Sequence, residues 1–217
     1  MKHVKLFIAV LIGVAIVSCK KEEGSQVTGG GAPTYKYFTQ LKVGNYWVYS
    51  QYKKSIYTGE ISDQSTDSVY ISKDTTINGN VYYKQEGTNS LLIGGAYYQF
   101  LRDSSGYIVD EYGIISEYKI VNYTDTVLKQ NYPDSGTVLY HASAKWSDEN
   151  ISKTTPAGTF TTSNFKLTLT LLDPPGLPDV YVNNYFAYDV GLVKSDGPDI
   201  TDPLYSRIRE LKKYHLN

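Results

Sequence analysis

From Tyr35 onward the chain is a succession of short segments rich in Tyr, Val, Ile and Thr, broken about every ten residues by Gly, Asn, Asp, Pro or Ser. The clearest segment is 159–172, where Phe165, Leu167, Leu169 and Leu171 fall on one face and Lys166, Thr168 and Thr170 on the other. That period of two predicts a half-buried strand. Asp173-Pro174-Pro175-Gly176 ends it, since proline cannot donate to a ladder. Gly44-Asn45 opens a strand over 46–57, and Asn78-Gly79 joins strands over 68–77 and 81–86 as a hairpin. Asp103-Ser104-Ser105-Gly106 and Asp134-Ser135-Gly136 separate strands near 97–102, 107–112, 115–121, 126–130 and 137–141. A last pair spans 181–188 and 204–214. In the second of these Leu204, Ile208 and Leu211 also fit helical spacing, so both strand and helix stay open there. The pattern predicts one all-β, antiparallel domain over 35–217.

The first 34 residues do not follow this pattern. A basic start (Lys2, Lys5), an apolar run from Leu6 to Val17 and the small Ser18 before Cys19 read as a signal peptide over 1–18. At 1.5 Å per residue the run reaches only ~18 Å, short of the ~30 Å hydrocarbon core that a spanning helix must cross. Ile16-Val17-Ser18-Cys19 resembles the lipobox of bacterial lipoproteins, although Val17 is bulkier than the usual small residue at its place. The resemblance implies cleavage before Cys19, a diacylglycerol on its thiol and a further acyl chain, such as palmitate, on the new amino terminus. Lys20 stands where an Asp favours inner-membrane retention in Gram-negative sorting, so the outer membrane is implied. Lys21-Glu22-Glu23 resembles the short acidic export signal that leads to the cell surface. Residues 19–34, polar and rich in glycine, form a tether with a mean reach of ~20 Å.

Removing 18 of the 217 residues leaves 199, the size of a single domain. Net charge is −1 with both signs dispersed, which supplies no footprint for nucleic acid and no polybasic membrane patch. The one cysteine is consumed by lipid, so no disulfide, thiolate nucleophile or thiolate metal site is expected.

Three segments resemble a family of uncharacterised envelope lipoproteins: Leu41-Lys42-Val43-Gly44-Asn45-Tyr46-Trp47, Pro156-Ala157-Gly158-Thr159-Phe160 and Val190-Gly191-Leu192-Val193-Lys194. Family members commonly carry a Pro-Gly pair before the third segment, where this chain has Tyr188-Asp189. The resemblance implies a strongly curved antiparallel sheet, a half-barrel or open barrel. Mechanically, Gly44-Asn45 supplies a turn, Trp47 a core plug, Pro156-Ala157-Gly158 a tight bend and Gly191 a bend or bulge.

The chemistry-bearing residues are sparse. His141 and His215 alone survive processing, and neither belongs to a His-Glu-x-x-His motif or sits with a Gly-x-Ser-x-Gly elbow. The acids Asp110, Glu111, Asp148, Glu149 and Asp189 read as surface charge, with a glycosidase-like pair as the alternative. Asp196, Asp199 and Asp202 read as a solvated acidic loop without EF-hand spacing. Asp67-Ser68-Val69, Asp74-Thr75-Thr76 and Asp125-Thr126-Val127 resemble O-glycan acceptor triplets. The 22 tyrosines, against 6 phenylalanines and 2 tryptophans, suit both half-buried strands and a recognition surface. Doublets such as Tyr82-Tyr83 and Tyr97-Tyr98 send one ring to each face.

These residues point to a non-enzymatic, surface-exposed outer-membrane lipoprotein without cofactor or metal. Its expected partners are the membrane, through Cys19, and a glycan, an apolar ligand or an envelope protein. A structural subunit of an envelope complex is the alternative, and a hydrolase with dispersed carboxylates ranks behind both.

Overall fold

The computed structural model describes residues 38–89, 95–113, 115–118, 121, 123–132, 140–172, 176, 178–199, 202 and 204–217. The signal peptide, the lipobox (Ile16, Val17, Ser18), Cys19, the export triplet (Lys21, Glu22, Glu23), the tether and the turn at 134–136 lie outside the described residues. Within them there are twelve strands: β1 Tyr46–Ser55, β2 Ile61–Ile77, β3 Asn80–Gly87, β4 Tyr97–Ser104, β5 Tyr107–Asp110 and β6 Ile115–Tyr118. The second half supplies β7 Leu128–Tyr132, β8 Tyr140–Thr155, β9 Gly158–Leu171, β10 Val180–Ala187, β11 Gly191–Pro198 and β12 Tyr205–His215. All twelve join one antiparallel sheet in the order β6-β5-β4-β3-β2-β1-β12-β11-β10-β9-β8-β7. The topology is an up-and-down meander zipped at its middle, where β1 pairs β12 from Tyr46↔His215 to Ser55↔Tyr205. The all-β, open curved sheet is thus the one the strand pattern and the three segments imply.

Local chemistry explains most of the turns. Asn78 and Gly79 both have positive φ (50° and 79°), the conformation of a two-residue hairpin turn. Gly158 (φ 133°) closes the β8–β9 hairpin directly opposite Thr155. In the turn before Val190, Asp189 takes the left-handed conformation (φ 62°) and its carboxylate accepts a bond from Gln40 Nε2 at 2.9 Å.

The C-terminal segment is a strand. Ile208 and Leu211 are both buried. An odd separation puts them on opposite faces of β12, which is why their spacing also fitted a helix. Two strands went unread in the sequence. β8 alternates Tyr140, Ala142, Ala144 and Trp146 with polar residues in its first half, and its polar second half is held by its ladder to β9. In β11, Asp196-Gly197-Pro198 looked like loop, yet Gly197 pairs Arg207, and a Cβ there would come within 3.0 Å of Val182.

The solvated acidic loop needs correction for the same reason. The Asp199 side chain is fully buried, with Lys53 Nζ and Arg207 Nη2 each 3.1 Å from its Oδ2. A buried carboxylate requires such partners. Asp196 accepts a bond from Asn183 Nδ2 at 2.8 Å, within the sheet.

Curvature brings the sheet's two ends together without joining β6 to β7. Tyr118 on β6 stacks on Phe165 of β9 at 5.6 Å, and Tyr123 Oη lies 2.6 Å from Ser163 Oγ. At this seam the entering chain is clamped. Phe38, fully buried, is sandwiched between Trp146 (4.8 Å) and Tyr188 (4.4 Å), and Thr39 N donates to Glu117. Burial of such a ring contributes on the order of 2–3 kcal/mol.

A bulge in β8 sets Asp148, Glu149 and Asn150 against Ser163 alone, with Asp148 and Asn150 left-handed. Beyond it the hairpin reaches β12, where Ala157 N donates to Leu211 O at 3.1 Å. The three resembling segments therefore meet. Leu41, Ala157, Phe160 and Val190 pack on the buried cluster of Trp47, Tyr49, Val69, Ile71 and Leu211, and Trp47 Nε1 donates to Val190 O.

Two tyrosines make this packing sensitive to alkali. Burial is the main cause that raises the Tyr52 and Tyr185 hydroxyls to about 12; the bond to Glu210 adds to it for Tyr52, and the Asp196 and Asp148 charges add to it for Tyr185. The unfolded chain loses these protons near pH 10 while the folded chain keeps them. Stability should accordingly be intact below pH 10 and fall as pH rises toward 12. Denaturant titrations across pH 8–12 should show this decline together with phenolate absorbance; a flat profile would count against buried hydroxyls.

Candidate functional site: a cavity on the concave face

Alternation along β1 turns Trp47, Tyr49 and Gln51 inward, and β1 lies between β2 and β12. In the ladder Tyr49 stands opposite Asp67 of β2, while Gln51 stands opposite Arg209 of β12. The Arg209 guanidinium lies across the Tyr49 ring, 3.9 Å from its centroid, and reaches over it to Asp67 Oδ2 through Nη2. Asp67, 1% exposed, also accepts Thr88 N (3.0 Å), Thr88 Oγ1 (3.3 Å) and Asn89 N (2.9 Å) on Oδ1, and Tyr97 Oη (3.4 Å) on Oδ2. This one carboxylate organises the loop after β3, the aromatic wall and the cation.

Tyr49, Tyr97 and Arg209 of this network border a cavity of about 300 Å³ within the curl of the sheet. Its aromatic walls are Trp47, Tyr49, Tyr97 and Phe186; Val69, Leu101, Ile108 and Leu192 add aliphatic surface. Gln85, Gln99, Thr39, Ser116, Glu117 and Arg209 supply polar groups. Strands from both halves of the chain contribute, so no sequence neighbourhood marks the site. Gln99 Nε2 donates to Gln85 Oε1 at 2.7 Å, which fixes the two amides side by side. Arg209 Nε is buried without a partner, while Nη2 donates to Asp67.

Tyr97 is placed by an absence. It stands opposite Gly87 in the ladder, and a Cβ on Gly87 would lie 2.1 Å from its ring atoms. The ring thus lies over the bare backbone of Gly87, the arrangement in which an aromatic residue covers a glycine in a sheet. Burial raises the hydroxyl pKa of both Tyr97 and Tyr49, with Arg209 opposing the shift in each case. Both hydroxyls stay protonated as donors at neutral pH, and Tyr49 Oη donates to Leu192 O at 3.0 Å.

The sequence-stated acids are dispersed elsewhere. Asp110 accepts Tyr112 N, Glu111 accepts Phe100 N, Asp148 accepts Asn164 Nδ2, and Asp189 accepts Gln40 Nε2. His141 lies in the β8 ladder and His215 stacks on Tyr46. Among the described residues no group of three His, Cys, Asp or Glu side chains is placed to hold a metal ion. Tyrosine abundance was the one sequence signal that pointed here, through Tyr49 and Tyr97; Arg209, Gln85, Gln99, Ser116 and Glu117 carried none. The doublets split as alternation requires, with Tyr82 buried, Tyr97 half-buried and Tyr98 63% exposed.

No family profile and no curated protein sequence matches the chain. Two solved structures are similar to it in chain path: a provisionally named lipoprotein from Parabacteroides distasonis (15% identity, 84% of this chain and 100% of that one, TM-score 0.46), and a provisionally named exported protein of YmcC-like fold from Bacteroides fragilis (14%, 83% and 100%, TM-score 0.47).

Proposed function

We propose that the chain is an outer-membrane lipoprotein, anchored through Cys19 and displayed at the cell surface, whose curved sheet binds a small ligand without turning it over. The observation that carries this reading is the cavity, in which aromatic walls and a few convergent polar groups occupy the size range of small-molecule sites. Binding is favoured over hydrolysis because Asp67 is engaged by five donors and the other stated acids lie outside the lining. Among the described residues Glu117 is then the one carboxylate in the cavity wall, where a glycosidase-like pair needs two.

The test is a thermal-shift and calorimetric screen of the full chain in detergent against sugars, fatty acids and amphiphilic metabolites. A ligand that raises the melting temperature should lose at least tenfold in affinity in Ser116→Trp, which fills the cavity from β6. If no class of ligand binds, the reading is wrong.

A structural role in an envelope complex has its own support in the exposed rings of Tyr57, Tyr98 and Tyr112, since large exposed aromatics suit a protein partner. Affinity capture from solubilised envelope should then return one stoichiometric partner, and Tyr98→Ser with Tyr112→Ser should release it.

A further inference from the structure

The lining of the cavity selects among ligand classes. A wholly apolar ligand would strip water from Gln85, Gln99 and Arg209 and return no hydrogen bonds, which is unfavourable for each group. An anion would meet the Glu117 carboxylate, and Arg209 offers it little net charge because Asp67 already pairs with it. A cation would find Glu117 already engaged by Thr39 N, with the polar donors Gln85 Nε2 and Arg209 in the same lining offering it no acceptor. What suits such a wall is a neutral ligand that both donates and accepts. The Gln99–Gln85 bond leaves the Gln85 amide NH₂ and the Gln99 carbonyl for that purpose, one donor and one acceptor side by side.

Size and shape narrow the class further. At ~30 Å³ per water-sized group, the cavity has room for about ten such groups, one small ring with its substituents. Tyr97 provides a flat surface for a ring. The ring rests on Gly87, its hydroxyl is held by Asp67, it packs against the Trp47–Tyr49–Val69 cluster, and it forms part of the cavity lining. Because these contacts hold the ring before any ligand arrives, little ordering cost falls on binding.

We propose that the cavity takes a single neutral polyhydroxylated ring of monosaccharide size, stacked on Tyr97 and hydrogen-bonded by Gln85, Gln99 and Arg209. The proposal rests on the reading of the cavity as a binding site. Gly87 acts as a positioning residue: it touches no ligand, and its lack of a side chain is what lets Tyr97 lie flat.

The experiment titrates the full chain in detergent by calorimetry, with the fluorescence of Trp47 in the cavity wall as a second signal. The neutral probes are D-glucose, D-galactose, D-mannose and N-acetylglucosamine. The comparison probes are glucuronate, glucosamine, cyclohexanol and cyclohexanecarboxylate. At least one neutral sugar should saturate and outcompete every comparison probe. Tyr97→Ala should weaken it tenfold or more, equivalent to 1.4 kcal/mol. Gly87→Ala should weaken it to a similar degree, and Tyr97→Phe less than threefold. Melting temperatures check the fold, and Tyr97→Leu carries the test if Tyr97→Ala does not fold. Saturable binding of a charged or apolar ring with no neutral sugar bound would overturn the ligand class and leave the binding reading intact. Sugar affinity untouched by Tyr97→Ala and Gly87→Ala would overturn the platform. Silence from every probe would overturn the proposal, while the wider ligand screen decides the binding reading.

Discussion

Cys19→Ala should move the protein from the membrane pellet to the soluble fraction. The expectation follows from how acyl chains partition. Each buried methylene contributes ~0.8 kcal/mol, yet a single chain binds only marginally, at ~10⁴ M⁻¹, whereas two or more give stable anchoring. The apolar run before Cys19 is too short to span a bilayer, so the proposed anchor is the lipid on Cys19. A net charge of −1 with both signs dispersed gives little attraction to anionic lipid. Fractionation with mass spectrometry of the N-terminal peptide is the check. A variant that stayed in the pellet as fully as the parent, or a parent peptide without lipid, would overturn the anchor. Replacing Lys21-Glu22-Glu23 with alanines separates surface display from anchoring, since protease on intact cells should then cease to reach a protein that remains in the membrane fraction.

The second large effect is expected at Asp67. Asp67→Ala should lower unfolding stability by about 3–5 kcal/mol, because it leaves the Arg209 guanidinium in a buried position without its counter-charge. Backbone donors suffer too, since Thr88 N and Asn89 N both lose their acceptor. Pairing the change with Arg209→Met should recover at least about 1 kcal/mol, as the residual penalty is then one of lost hydrogen bonds and no longer one of stranded charge. Urea denaturation of the two single variants and the double variant measures this directly. A loss below about 1 kcal/mol in Asp67→Ala would mean that the pair is screened by water, and the account of a buried, organised wall would fail with it.

The organisation of the cavity explains why so little of it was legible. Arg209 and Asp67 are 142 residues apart, and each sits in a strand whose pattern gives no hint of a partner. They meet because β1 and β12 pair at the middle of the meander, which places β2 and β12 on either side of β1. Gly87 shows the same limit in a simpler form. In the sequence it reads as the end of a strand, and only the register with Tyr97 reveals that the missing side chain makes room for a ring. Asp199 shows the reverse error. Its neighbours Gly197 and Pro198 suggested exposed loop, whereas Lys53 and Arg207 draw it into the interior.

Local rules carried the rest. Alternation in 159–172, turn chemistry at Asn78-Gly79 and the bend at Pro156-Ala157-Gly158 each depend on a few adjacent residues, and each recurs in the folded chain. The expected signal peptide and lipobox rest on the same kind of local pattern, because a secretion machine reads such segments as linear sequence before folding. Taken alone, the sequence determined an all-β antiparallel domain and its main hairpins. Tertiary structure alone decided that the C-terminal segment is a strand, that β8 and β11 join the sheet, and that Tyr97, Arg209, Gln85 and Gln99 surround one cavity. The physical reason is that backbone ladders satisfy polar segments with no pattern of their own, and that a curved sheet gathers side chains whose separation along the chain carries no information about their separation in space.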